Sequence, residues 1–259
     1  MSSCAARKER NMAKVEEVLQ FMQQLAPPEK AASWDNVGVL VDCGADVTSI
    51  LVALDITEEV VAEAEIQGCQ LIVAHHPVIF HPLKRISRSD VPFRMIKKNI
   101  SGLCAHTNLD AAEGGVNDIL CKLFGVTGAK GFAEGGMGRI GQIRTVSAAQ
   151  LAAQCQTTLN AKVKYVDAGR PINTLAVLGG SGDHLIEEAV AAGADALLTG
   201  EAGHHDALDA KRLGLSLIVA GHYATEFPVV PVLADKLSRR FAGVRVLCSR
   251  RNKEPFTYL

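Results

Sequence analysis

Short apolar runs alternating with amphipathic stretches set the reading of this chain. Val15, Val18, Leu19 and Met22 share one face of a helix predicted over Val15 to Leu25, which Pro27 and Pro28 close. A buried strand is predicted at Ile50 to Leu54, followed by a helix capped by Thr57 and stopped at Gly68. The next strand, Leu71 to Ala74, runs straight into His75-His76-Pro77. A basic loop (Lys84, Arg85, Arg88) leads to a helix around Phe93 to Lys98, and a strand at Leu103 to Ala105 opens on His106-Thr-Asn-Leu-Asp110. Strands and helices alternating at these lengths predict an α/β fold of βαβ units with mostly parallel strands.

The second half repeats the scheme. A strand at Thr174 to Leu178 precedes a Gly-rich turn and a helix from about His184 to Ala192, which Gly193 stops. Ala196 to Leu198 is a strand ending in Thr199-Gly-Glu-Ala-Gly-His-His-Asp206, and after another helix Leu217 to Ala220 delivers Gly221-His-Tyr-Ala-Thr-Glu226. His106 and Asp110 form H-x3-D, His222 and Glu226 form H-x3-E, and the two pairs are offset equally. An internal duplication with small insertions accounts for this. The expected organisation is one domain over 13–259, with a first lobe at about 13–126 and a second at about 127–259. The second lobe includes a linking segment from about Thr127 to Arg170, with a Gly-rich stretch and one helix near Ala148 to Thr157. No sharp linker separates the lobes, so they are expected to intertwine. Residues 1–12 are expected to be a disordered extension.

Composition narrows the function classes. Apolar residues make up 48% of 259 positions, enough for a sizeable core and too many for a disordered chain. A formal net charge of -1, without long blocks of one sign, argues against a basic nucleic-acid-binding face. No run reaches the ~18 apolar residues of a membrane span. Met1 to Met12 carries basic residues but is not followed by the apolar core of a secretory signal. The seven cysteines include no CxxC pair. Cys43, Cys69, Cys104, Cys121 and Cys248 sit in apolar or helical contexts and read as small core residues in a reducing compartment, so the expected location is cytoplasmic.

Ligands of open α/β sheets bind beyond the carboxyl ends of the strands. His75-His76, His106 with Asp110, His204-His205-Asp206, and His222 with Glu226 all follow apolar strands at that edge. Imidazole with carboxylate is a ligand set for zinc, iron, manganese or nickel, and does not distinguish them. Neighbouring His75 and His76 would diverge on a continuing strand, whereas a sharp exit at Pro77 lets both rings face one site. His222 and Glu226, four apart, share a face if a helical turn starts there. Either Glu226 or Asp110 could bridge two ions, which would polarise a substrate oxygen and generate hydroxide. His81 and His184 read as structural or exposed. For His204 and His205, hydrogen bonding at a helix start competes with ligation, and Asp206 and Asp209 there could simply favour the helix dipole. Leu178-Gly-Gly-Ser-Gly182 could admit a phosphate but lacks the dinucleotide or P-loop spacing. Trp34 is the only tryptophan; a core position is its default, although with Asp35 and Asn36 beside it it could line a pocket.

The motifs Ser33-Trp-Asp-Asn-Val-Gly38, Ala74-His-His-Pro77, His106 to Asp110, Leu198 to Asp206 and Gly221 to Glu226 resemble, in this order, those of the Nif-three-like proteins. Members are often labelled GTP cyclohydrolase type 2 homologues. The resemblance spans about Lys14 to the C-terminus. It implies two divalent metal ions per subunit on His75, His76, Asp110, His222 and Glu226, with Glu226 bridging. It also implies two similar intertwined lobes with the site between them, and a homohexamer. The interval between the halves is too short for the extra domain of larger relatives. His106 matches the motif and is placed behind the ligands.

The label suggests a metal-dependent hydrolase acting on a nucleotide or similar small molecule, with metal-activated water as nucleophile. Glu201, His204 and His205 are then candidate proton carriers, and Trp34, Asn36, Lys84, Arg85 and His106 candidate pocket residues. The competing expectation is a non-catalytic metal-binding or metal-delivery assembly, or an interaction scaffold.

Overall fold

The computed structural model describes residues 12–258, so the expected N-terminal extension lies, apart from Met12, outside the described residues. Two sheets form the framework. The first has five strands in the order Arg245–Cys248, Ser49–Ala53, Leu71–Ala74, Ser101–Cys104, Gly38–Val41. Its first four strands are mutually parallel and Gly38–Val41 is antiparallel. The second has six, in the order Thr127–Phe132, Gly138–Val146, Ile172–Ser181, Ala196–Glu201, Ser216–Val219, Lys164–Val166. Only its three central strands, Ile172–Ser181, Ala196–Glu201 and Ser216–Val219, run parallel to one another.

Both halves use the same order of elements. Ser49–Ala53, the helix Glu58–Ile66, Leu71–Ala74, the helix Val91–Lys97 and Ser101–Cys104 lead to the short helix Thr107–Ala111 and then the helix Val116–Leu123. Ile172–Ser181, the helix Ile186–Ala191, Ala196–Glu201, the helix His204–Arg212 and Ser216–Val219 lead likewise to the short helix His222–Glu226 and then the helix Val229–Arg240. The last helix of each half leaves its own sheet. Leu120 and Cys121, with Phe124 just beyond, pack with Leu175, Val177 and Leu198 of the second sheet. Val229, Val230, Leu233 and Leu237 pack with Ile50, Val52 and Val73 of the first, and the following strand Arg245–Cys248 pairs with Ser49–Ala53. Each such buried aliphatic contributes roughly 1.5–3 kcal/mol of transfer free energy. The exchange therefore makes neither sheet complete without the other half.

Helix boundaries follow local chemistry. Thr57 accepts from Val60 N to cap Glu58–Ile66, as its position predicts. In the linking region Ser147 and Gln150 form a reciprocal capping box for the helix Ala148–Leu159. The strand Ile172–Ser181 is longer than its apolar run, because it continues through Gly179 and Gly180 where a turn was expected. No helix among the described residues is long and apolar enough to cross a membrane.

Arg139, buried on the second sheet, ties the two halves together. Its guanidinium donates to the carbonyls of Ala111 and Ala112 at the end of the short helix Thr107–Ala111, to those of Gly136 and Gly138, and to Asp118. Arg139→Ala would leave Asp118 without its cationic partner and the Ala111 and Ala112 carbonyls without these donors, so urea unfolding should show a loss of about 3–5 kcal/mol. A loss under ~1 kcal/mol would remove Arg139 as a tie between the lobes.

Candidate metal centre

The carboxyl ends of the parallel strands in both sheets converge on one cluster. After Leu71–Ala74 the chain bends at His75 and His76. After Ser101–Cys104, His106 begins the turn that places Asp110 in the helix Thr107–Ala111. After Ser216–Val219, Gly221 at φ +90° makes the reversal that starts the helix His222–Glu226; a side chain would strain that backbone.

Four histidines are oriented in the same way. The Nδ1 of His75 hydrogen-bonds the Ala105 carbonyl at 3.0 Å, that of His76 bonds Asp55 at 2.7 Å, that of His106 bonds Asp35 at 2.9 Å, and that of His222 bonds Glu201 at 2.9 Å. Each Nδ1–H donates to an oxygen, which leaves each Nε2 to serve as a ligand atom. This is the outer arrangement that fixes tautomer and ring direction in metal sites.

The Nε2 atoms meet the two acids. His75 Nε2 stands 3.6 Å from Asp110 Oδ1 and 3.7 Å from Glu226 Oε1. His76 Nε2 and His222 Nε2 stand 3.0 and 3.1 Å from Glu226 Oε2. His75, Asp110 and Glu226 form one triad with ligand atoms within 4.8 Å of one another, and His76, His222 and Glu226 form another. Glu226 belongs to both and presents a different oxygen to each. A third close group is His75, His76 and His106, which sets a further imidazole beside the two triads.

This set fits a metal. His75 Nε2 and Asp110 Oδ1 are buried and lack hydrogen-bond partners, and the buried Glu226 Oε2 meets only the His76 and His222 rings. Orphaned polar atoms of opposite kind facing a buried carboxylate in a protein interior are costly unless a cation joins them. The charges are strained accordingly. Burial pushes the Asp110 carboxyl up to about 6. Burial would also raise Glu226, yet His75 and the hydrogen bonds of the histidines hold it well below the usual carboxylate range. Burial disfavours charge on His76 and His222, but bonds to Asp55 and Glu226 raise the first to about 10, and Glu226 chiefly raises the second to about 9. His75 is raised too, Asp110 and Glu226 overcoming complete burial.

The Gly-rich turn belongs to this centre. A Cβ on Gly180, where φ is +66°, would lie 2.1 Å from Glu226 Oε1 and 3.2 Å from His222 Nε2. Asn117, fully buried, receives Gly179 N and donates to the carbonyls of Asp110 and Met137. The glycines thus let backbone approach Glu226, which accounts for them without a phosphate. Gly180→Ala should displace that carboxylate and weaken metal binding by about 10–100-fold, on the scale of lost supporting contacts; calorimetric titration with zinc reads it, and unchanged affinity would refute the packing role.

The other candidates differ in where they lie. Glu201, expected as a proton carrier, accepts from His222 Nδ1 at the cleft. His204 and His205 open the helix His204–Arg212 on the surface and do not line the cleft beside the ligands. Trp34 is 62% exposed, not in the core, with its ring 5.8 Å from Phe80 and 6.2 Å from His106. Asn36 donates to the Ile79 carbonyl and steadies the loop after the histidine pair. Lys84 and Arg85 are exposed on that loop. Of the cysteines, Cys248 is exposed and Cys43 half-buried, so neither is a full core residue.

Sequence reasoning missed Asp55, and saw Asp35 only as a neighbour of Trp34. Asp55 holds His76 and is itself held by Asn252 Nδ2, while Asn252 Oδ1 accepts from Leu54 N and Asp55 N. Asp35 holds His106 and accepts from Thr107; burial works against its charge, but these bonds keep it near 2. A cleft of about 740 Å³ adjoins His76 and His222, lined also by Asp55, Glu201, Lys162, Lys164, Tyr223 and Phe256.

Known proteins resemble this chain in sequence and in fold. The sequence model described as Duf34/NIF3 (NGG1p interacting factor 3) matches residues 13–255. A Clostridium perfringens protein named GTP cyclohydrolase 1 type 2 homolog is 31% identical over 263 residues, covering 95% of this chain and all of its own length (100%). A Helicobacter pylori protein named GTP cyclohydrolase 1 type 2 is 32% identical over 232 residues, covering 87% of this chain and 92% of its own. The crystal structure of a Staphylococcus aureus hypothetical protein superposes with a TM-score of 0.85 at 28% identity, covering 95% of this chain and 99% of that one.

Proposed function

The chain belongs to the Duf34/NIF3 family, and from that premise we propose that it is a dinuclear metal-dependent hydrolase acting on a nucleotide or similar small molecule. The observation that carries the reading is the pair of ligand triads sharing Glu226, one oxygen to each. His75 and Asp110 would hold one ion, and His76 and His222 the other, with Glu226 between them. Such ions, when bound, supply Lewis-acid polarisation and acidify water. The protein's own part is to fix the ligand rings through Ala105, Asp55 and Glu201, and to keep His76 and His222 at the edge of an open cleft. The Helicobacter relative's name supports a nucleotide as the substrate class. The proposal carries over the homohexamer, the cytoplasmic location and the origin of the lobes by duplication.

One observation favours the second reading, a metal-holding or metal-delivering assembly. Asp55 and Glu201, two of the three carboxylates that line the cleft, are both engaged by histidines, and an enzyme needs a proton carrier. Metal analysis with a nucleotide panel decides. The expected result is roughly two ions per chain and turnover that chelation abolishes. Retained metal with no turnover above the chelated control leaves the assembly reading standing. Protein that holds no metal and takes up none on titration ends both.

A further inference from the structure

The cleft beside the ligands is walled partly by segments that the metal centre does not use. One is the C-terminal stretch, which Asn252 anchors on Leu54 and Asp55 before the chain continues as Glu254-Pro-Phe-Thr-Tyr258. Phe256 and Tyr258 line the cleft while remaining 71% and 49% exposed. Two large aromatic side chains left in water beside a ligand cluster present apolar area that an occupant would cover. Lys162 and Lys164, from the second half, line the same cleft. Lys164 Nζ donates to the Ala202 carbonyl, whereas Lys162 is exposed and forms no ion pair among the described residues. A space of about 740 Å³ is of the size that encloses a ligand of several rings and substituents.

Building on the function proposed above, we infer that this cleft is a nucleotide site in which Phe256 and Tyr258 stack the base and Lys162 receives the phosphates. Flat aromatic faces accept a heterocycle of any sequence of substituents, and an exposed ammonium is a point charge for phosphate. A ligand carrying both a flat ring and an anionic tail satisfies both features. His76 and His222, on the same cleft, put the metal positions within reach of that ligand.

Calorimetric titration of the full chain, loaded with zinc, with GTP and with guanosine tests the assignment. The double variant Phe256→Ala/Tyr258→Ala should weaken both ligands about tenfold or more. Lys162→Ala should weaken GTP about tenfold and leave guanosine unchanged. Metal content should match the wild type in both variants, since none of the three side chains is a ligand. The inference is overturned if the double variant binds both ligands as tightly as the wild type, if Lys162→Ala weakens guanosine as much as GTP, or if the wild type binds neither. Wild-type protein that takes up no zinc, yet loses guanosine on the aromatic substitutions, would sink the metal reading and uphold the cleft.

Discussion

Replacing Glu226 by Gln should weaken metal binding more than any other single change, by over ~100-fold, and should reduce the bound metal to at most one ion per chain. Outer partners of metal ligands cost about 10–100-fold when removed, and Asp55→Asn is the internal comparison for that range. Glu226 is different because both of its oxygens are used: Oε1 faces His75, and Oε2 faces His76 and His222. An amide keeps the shape but offers one carbonyl oxygen and turns an N–H donor toward one of the two triads. It also removes the buried negative charge that offsets three neighbouring histidines. Breaking such a buried pairing costs about 3–5 kcal/mol, so the metal-free variant should unfold at lower urea than metal-free wild type. Elemental analysis and urea titration read the two effects separately. A variant that retains both ions at wild-type affinity would show that Glu226 does not join the two triads.

The residues that cluster were legible because each follows a strand that betrays itself. Leu71–Ala74 is four apolar residues, all buried, and the two histidines after it have nowhere to go but the sheet's carboxyl edge. The H-x3-E pair was readable as a short helical turn, and it is one; Asp110 of the H-x3-D pair lies on a similar short helix that His106 caps. Their orienting acids were not readable. Asp35 meets His106 across 71 positions, and Asp55 meets His76 across 21; a lone carboxylate in sequence carries no mark of the imidazole it will face. Strand Thr127–Phe132 escaped for another reason. Only Phe132 of its six residues is buried, so the period-two pattern that identifies a strand is missing. The exchange of helices between sheets was expressed only as an expectation of intertwining. The amphipathic face of Val229–Arg240 says that Val229, Val230, Leu233 and Leu237 will be buried, but nothing in that periodicity says against which sheet. Trp34 followed the general preference of large aromatics for the interior; its neighbours Asp35 and Asn36 instead bind backbone and side chains around it and leave the ring outside.

Metal affinity should rise about 100-fold from pH 7 to pH 8, and the metal-free fold should respond to pH in the opposite sense. Without metal, His76 and His222 titrate at about 10 and about 9, so both are protonated at neutrality. Each must lose the Nε2 proton to act as a ligand. Binding therefore releases at least two protons near pH 7, and affinity changes about tenfold per proton per pH unit. The stability of the metal-free chain has the reverse slope. A histidine raised above its unfolded value of about 6.5 contributes fully below that value, and the contribution disappears as pH rises through about 9 and then about 10. Glu226 acts at the other end: its lowered value gives stability above about 4.5 that is lost as acid protonates it. These three groups should thus stabilise the metal-free protein best between about pH 4.5 and 6.5, with Asp110, raised to about 6, shifting the optimum toward the acid side, while the gain in Tm on adding zinc should grow steadily from pH 6 to pH 8. Titration at pH 7 in two buffers of different ionisation enthalpy counts the released protons directly. A count near zero, or a Tm gain that is flat with pH, would mean that the histidines are already neutral and that the carboxylates do not hold them charged in the empty site.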